Sequence, residues 1–329
     1  MSKSIATDLG GASSAPVPVI SVSPVTLAAP DRETDLQVRV SAPVSGSQLP
    51  IIVLAHGFGS SLDGYAPLAQ FWAAHGFVVI QPTFLDSRTL LPAAKASHGE
   101  AIQAYLNDPR KLLMWRTRVR DVQRILDQLP VLEEAVPGLL GRLDQSRIAV
   151  AGHSFGAQTA GLLLGARVLG ADGSSLREDW FDPRVKAGVL LSAAGRGGAD
   201  LSSFAAEHFP HLNQSYAELR TPTLVVAGDA DRSPLTLRGP DWFTDAYTLS
   251  PGATCLVTLF EGKHMLGGIS GYLVTETTDE NPARVAAVQQ LTWAYLRSAL
   301  YPEDPAWPTA CVAFEGAPQP LGQLVCKGS

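Results

Sequence analysis

Cysteine is scarce in this chain. Cys255, Cys311 and Cys326 are the only three in 329 residues, too few for a disulfide scaffold and without the paired spacing of a zinc site. Cys255 sits in an apolar stretch and is expected in the core, whereas Cys311 and Cys326 bracket the C-terminal tail and are the candidates for a bridge if the protein is exported. Basic charge is also short: 25 Lys and Arg face 31 Asp and Glu, a formal net charge of −6. That balance leaves no electrostatic footprint for nucleic acid or an anionic membrane surface. No apolar run is long enough to span a bilayer, and Pro16, Pro18 and Pro24 interrupt the one N-terminal stretch that would serve as a signal peptide. The expectation is a cytoplasmic protein with a small-molecule or lipid-like partner, no nucleic acid, no metal and no stable membrane insertion. Its oligomeric state is left open.

What the chain does have is core material. Hydrophobic residues make up 46% and charged residues 17%, a globular composition able to bury a large interior. After a small, polar leader at 1–15, one α/β domain is expected over 16–305, followed by a tail at 306–329. Scattered valines from Val17 to Leu27 predict a first strand. Leu36, Val38 and Val40 alternate with Gln37 and Arg39, the pattern of a strand with one wet face at a sheet edge. Further on, Ile51–Ala55, Phe77–Ile80, Ile148–Ala151, Ala187–Leu191, Thr223–Ala227 and Cys255–Phe260 are short continuous apolar runs. These suit strands covered on both faces.

Helical spacing fills the intervals. Leu112, Trp115, Val119, Val122, Leu126 and Leu129 recur every three or four residues, opposite a basic face of Arg116, Arg118, Arg120 and Arg124 that reads as solvated. A closing helix is expected from Pro282 to Leu300. Strand and helix thus alternate, which predicts a mostly parallel central sheet with helices on both faces. Two segments break the rhythm, 85–109 and 194–220. Both follow strands, the place where open parallel sheets carry their ligands, so they are the expected lid or pocket wall.

The run Arg147-Ile148-Ala149-Val150-Ala151-Gly152-His153-Ser154-Phe155-Gly156 carries the first chemical signal. A buried strand leads straight into Gly-x-Ser-x-Gly, and small, helix-compatible residues follow. A serine on so sharp a turn needs small neighbours, which Gly152 and Gly156 supply, and its hydroxyl then stands above the sheet. The same turn aims the Phe155 amide, at a helix N-terminus, toward an oxygen that becomes negative during acyl transfer.

On these residues the chain resembles the α/β-hydrolase superfamily, and the resemblance implies further parts in a set order. His56-Gly57-Phe58-Gly59 after the first buried run resembles the segment that supplies a second oxyanion-hole amide, here that of Phe58. His56 itself is expected to brace the loop. The acid should follow a later strand, where Gly228-Asp229-Ala230-Asp231 offers two carboxylates; the last position of Gly-x-x-Asp implies Asp231, with Asp229 as a turn residue. The order Ser, Asp, His implied by the resemblance then leaves His264, in Gly262-Lys263-His264, as the imidazole.

Gly-His-Ser-Phe-Gly, Gly-Asp-Ala-Asp and Gly-Lys-His are also similar to the esterase branch that includes cutinase-like polyester hydrolases, chlorophyllases and platelet-activating-factor acetylhydrolases, over roughly Val17 to Leu300. The resemblance implies a serine carboxylic-ester hydrolase with Ser154, Asp231 and His264 as its triad. It works through an acyl-enzyme, without metal or organic cofactor. Amide or thioester cleavage on the same triad, and a non-catalytic binding protein of this fold, remain open readings.

Overall fold

Ile51, Val53 and Ala55 pack into one hydrophobic cluster, and the residues between them, Ile52 and Leu54, pack into another on the opposite side of the sheet. Because side chains alternate along a strand, a run apolar at every position is what a strand needs when both faces are covered. Ile148 and Val150 against Ala149 and Ala151 repeat the division. Each large aliphatic side chain buried this way contributes roughly 1.5–3 kcal/mol.

In this computed structural model the described residues are 15–92, 97–170, 172–174, 176, 178–271 and 274–328. The expected leader, 1–15, lies outside them apart from Ala15. The strands are β1 (Val19–Leu27), β2 (Leu36–Pro43), β3 (Leu49–Ala55), β4 (Val78–Pro82), β5 (Leu143–His153), β6 (Arg167–Val168), β7 (Val185–Leu191), β8 (Gln214–Ser215), β9 (Thr223–Gly228), β10 (Ala253–Leu259) and β11 (Gly322–Cys326). The helices are α1 (Ala66–Ala74), α2 (His98–Asn107), α3 (Met114–Asp127), α4 (Leu129–Ala135), α5 (Phe155–Leu163), α6 (Ser203–His208), α7 (Asp245–Thr248), α8 (Pro282–Leu300) and α9 (Ala306–Glu315).

Nine strands form one sheet in the order β1-β2-β4-β3-β5-β7-β9-β10-β11, and β6 pairs with β8 apart from it. From β4 to β10 neighbours run parallel; the pairs β1/β2, β2/β4 and β10/β11 are antiparallel. Helices α3 and α5 cover one face, and α1, α8 and α9 the other. This is the expected α/β-hydrolase architecture. The closing helix has the predicted bounds, with Pro282 in its first turn and the Asn281 side chain accepting the Arg284 amide at 3.0 Å.

Four expectations need correction. β2 is not an edge strand, because β1 pairs along its outer side; its alternation reflects one exposed face, not one free edge. The helix expected from the spacing of Leu112 to Leu129 is broken into a 3-10 turn at Lys111–Leu113, then α3, then α4, and Leu112 is 49% exposed on that turn. The tail at 306–329 is not an appendage: it forms α9 and then β11, the last strand of the sheet. Finally, Cys326 is bonded to Cys255 and not to Cys311, which is free on α9. Register decides this, since Cys255 and Cys326 face each other across the antiparallel pair β10/β11, with Cα atoms 4.1 Å apart.

The two irregular segments have structure of their own. The 85–109 stretch makes a 3-10 turn at Arg88–Leu90 and then α2, started by a capping box between Ser97 and Glu100. The 194–220 stretch carries α6, a 3-10 turn at Pro210–Leu212, and β8. Among the described residues no helix is long and apolar enough to cross a membrane.

Candidate active site

β5 ends at His153 and α5 begins at Phe155, so Ser154 alone turns the chain. Its φ of 55° and ψ of −118° fall outside the regions open to L-residues without strain, a cost of about 1–3 kcal/mol. Two glycines make the turn possible. A Cβ on Gly152 would lie 2.0 Å from the Gly156 carbonyl oxygen, and one on Gly156 would lie 2.0 Å from that of Ala55. Any side chain at either place would force β5, α5 and the end of β3 apart. The serine hydroxyl is thereby held clear of the sheet.

The structure brings the three expected side chains together. His264 Nε2 lies 2.9 Å from Ser154 Oγ, and His264 Nδ1 lies 2.9 and 3.2 Å from the two Asp231 oxygens. Asp231, fully buried, can only accept, so Nδ1 carries the proton and Nε2 is left to receive that of the serine. Asp229 is exposed, and its amide bonds to the Leu259 carbonyl at the end of the neighbouring strand β10. The His264 backbone is pinned as well. Its carbonyl accepts from His153 Nε2 at 2.7 Å and from Ser192 Oγ at 3.1 Å, while Asp279 accepts the amides of Lys263 and Gly267 on either side.

Phe58 and Phe155 both line the cleft beside Ser154. Among the described residues no acceptor takes the Phe155 amide, which starts α5, or the Phe58 amide in the loop after β3. Beneath the loop runs a buried chain of donors. The Gly57 amide donates to Tyr65 Oη at 3.0 Å, so the tyrosine must donate its own proton to His153 Nδ1 at 2.7 Å, and His153 Nε2–H then serves the His264 carbonyl. This requires a neutral His153. Burial, with the neighbouring His264 second, pushes its pKa down to about 3. His56 braces the loop as expected: its Nδ1 donates to the Gly57 carbonyl at 2.6 Å and its Nε2 accepts the Phe84 amide at 3.1 Å. Burial first, then Arg118, hold its pKa near 4.

A cleft of about 400 Å³ opens over Ser154 and His264. Both irregular segments line it. Arg88, His98 and Ile102 come from the first, and Phe204, Phe209 and Leu212 from the second. The first wall is partly polar, with Arg88 Nη1 bonded to Glu276 Oε1 at 2.9 Å. Facing it are aromatic and aliphatic side chains. Among the described residues no cluster of His, Cys, Asp and Glu is arranged to hold a metal ion.

The family model described as "Alpha/beta hydrolase family" matches residues 52–325. The chain belongs to the alpha/beta hydrolase family. It is similar to a protein named "Cutinase est1" from Thermobifida alba, 26% identical over 180 residues that cover 55% of this chain and 42% of that protein. "Cutinase 2" from Thermobifida cellulosilytica is 24% identical over 180 residues, 55% of this chain and 47% of its own. "Platelet-activating factor acetylhydrolase" from Cavia porcellus is 26% identical over 137 residues, 35% and 31% of the two chains. The chain spans less than half the length of these relatives.

Two residues beneath the site of this alpha/beta hydrolase were not legible as such in its sequence. Arg118, expected on the solvated side of its helix, is 1% exposed and lies against the loop after β3, on the His56 carbonyl. A signal was there. Positions 115, 118, 122 and 125 share one face of a helix, and Trp115, Arg118, Val122 and Ile125 are all buried in α3. Tyr65 was also missed. It lies in the loop before α1, and nothing in its sequence neighbourhood points to His153, 88 residues away.

Proposed function

We propose that this protein is a serine esterase that cleaves a carboxylic ester through an acyl-enzyme. The observation that carries the reading is the unbroken contact from Ser154 Oγ through the His264 ring to the buried Asp231. His264 takes the serine proton as Oγ attacks the acyl carbonyl, and Asp231 holds the ring and stabilises the imidazolium. The Phe58 and Phe155 amides receive the oxyanion. His264 then protonates the departing alcohol, and water, activated by the same ring, releases the acid.

The relatives named as cutinases and as an acetylhydrolase support ester cleavage. The mostly apolar wall of Phe204, Phe209 and Leu212 favours an ester of moderate size with an apolar acyl or alcohol part. The bond between Cys255 and Cys326 favours an oxidising compartment over the cytoplasm expected from the sequence. A panel of matched p-nitrophenyl esters, anilides and thioesters tests the function. Ester turnover should dominate, and Ser154→Ala should lower it by about 10⁴-fold or more while abolishing labelling by a fluorophosphonate. A Ser154→Ala protein as active as wild type would end the proposal.

A further inference from the structure

Arg118 is a charged side chain in the protein interior, and its surroundings are specific. The guanidinium carbon lies 4.2 Å from the centre of the Phe84 ring and 4.3 Å from that of the Phe155 ring, so the cation is sandwiched between two aromatic faces. Its Nη2 donates to the His56 carbonyl at 2.5 Å. Its Nε lies 3.4 Å from Asp86 Oδ1, an ion-pair contact that misses hydrogen-bond geometry, and Nε and Nη1 meet no hydrogen-bond acceptor among the described residues. Asp86 Oδ2 in turn accepts the Gly59 amide at 3.2 Å.

These contacts converge on two residues. His56 and Gly59 flank Gly57 and Phe58, so Arg118 and Asp86 hold the oxyanion loop from both ends. Phe155, whose amide is the other oxyanion donor, rests its ring on the same guanidinium. A buried, incompletely paired charge is costly and is weak evidence for stability, whereas a planar group wedged between rings is a stiff spacer that lysine does not imitate. The geometry points to Arg118, with Asp86, as the positioning residue that sets the spacing of the Phe58 and Phe155 amides. It touches no substrate. The pair acts in the acylation transition state, where misplacement by about 1 Å costs on the order of 10²-fold.

This inference rests on the esterase reading, and its test separates the two. Arg118→Met, Arg118→Lys and Asp86→Asn are compared with wild type and Ser154→Ala for acylation rate with a p-nitrophenyl ester, affinity for a boronate that places a negative oxygen in the hole, and affinity for a non-hydrolysable ether analogue. Circular dichroism checks folding. Arg118→Met and Arg118→Lys should each lose roughly 30-fold in acylation and in boronate affinity, and Asp86→Asn about tenfold, with ether binding within threefold of wild type. A folded Arg118→Met that acylates within threefold of wild type, while Ser154→Ala is inactive, overturns the positioning role and leaves the esterase standing. Equal losses of ether binding and acylation also overturn it. Should neither arginine variant fold, Asp86→Asn decides by the same criteria.

Discussion

The candidate triad and the floor beneath the loop after β3 are built in opposite ways. Ser154 and His264, on the loops after β5 and β10, line an open cleft, and Asp231, after β9, is buried behind His264. The floor of His56, Tyr65, Asp86, Arg118 and His153 is buried throughout and joined by hydrogen bonds, ring contacts and one ion pair. In the proposed mechanism the upper group moves a proton, so Ser154 and His264 need access to the cleft. The lower group must not move at all, and a low-dielectric interior makes each unmet bond there expensive.

The sharpest way to break this contrast is to disturb each layer and compare rates with stability. Asp231→Asn leaves the packing intact but lets His264 adopt the wrong tautomer, so kcat should fall about 10⁴-fold with the melting temperature nearly unchanged. Asp229→Asn should have no effect on rate. The reverse result would move the acid to Asp229.

Tyr65→Phe strikes the floor. It strands the Gly57 amide and His153 Nδ1 together, and should cost about 1–3 kcal/mol of unfolding free energy by urea denaturation. The loosened loop should lower kcat/KM by roughly tenfold. A variant of unchanged stability would mean that the tyrosine bridge carries nothing.

The smallest effect is in acid. His56 is held near pKa 4, and His153 and His211 near 3, chiefly by burial. An unfolded histidine titrates near 6.5. Between these values the unfolded chain binds more protons, so stability is full above about pH 6.5 and is lost as pH falls toward 3 to 4. Each buried ring adds at most about 1.4 kcal/mol per pH unit to that slope. His211 lies on the cleft wall with its Nδ1 unpartnered among the described residues. His211→Gln should therefore flatten the slope between pH 6 and pH 4.5 by up to one proton's worth, and an unaltered slope would remove His211 from the account.

Local chemistry in the sequence was enough to determine the elbow at Ser154, because only a strand running into Gly-x-Ser-x-Gly makes that turn. Continuous apolar runs determined the two-sided sheet, since alternate residues face opposite layers. Resemblance to a superfamily ordered the remaining triad members. Tertiary structure alone decided that Cys326 pairs with Cys255, that the C-terminal segment adds a strand, and that Arg118 and Tyr65 lie under the loop after β3. The physical reason is range. Periodicity and turn chemistry act over a few residues, whereas strand register and the pairing of buried polar groups join positions such as 65 and 153, or 255 and 326, that meet only when the layers close.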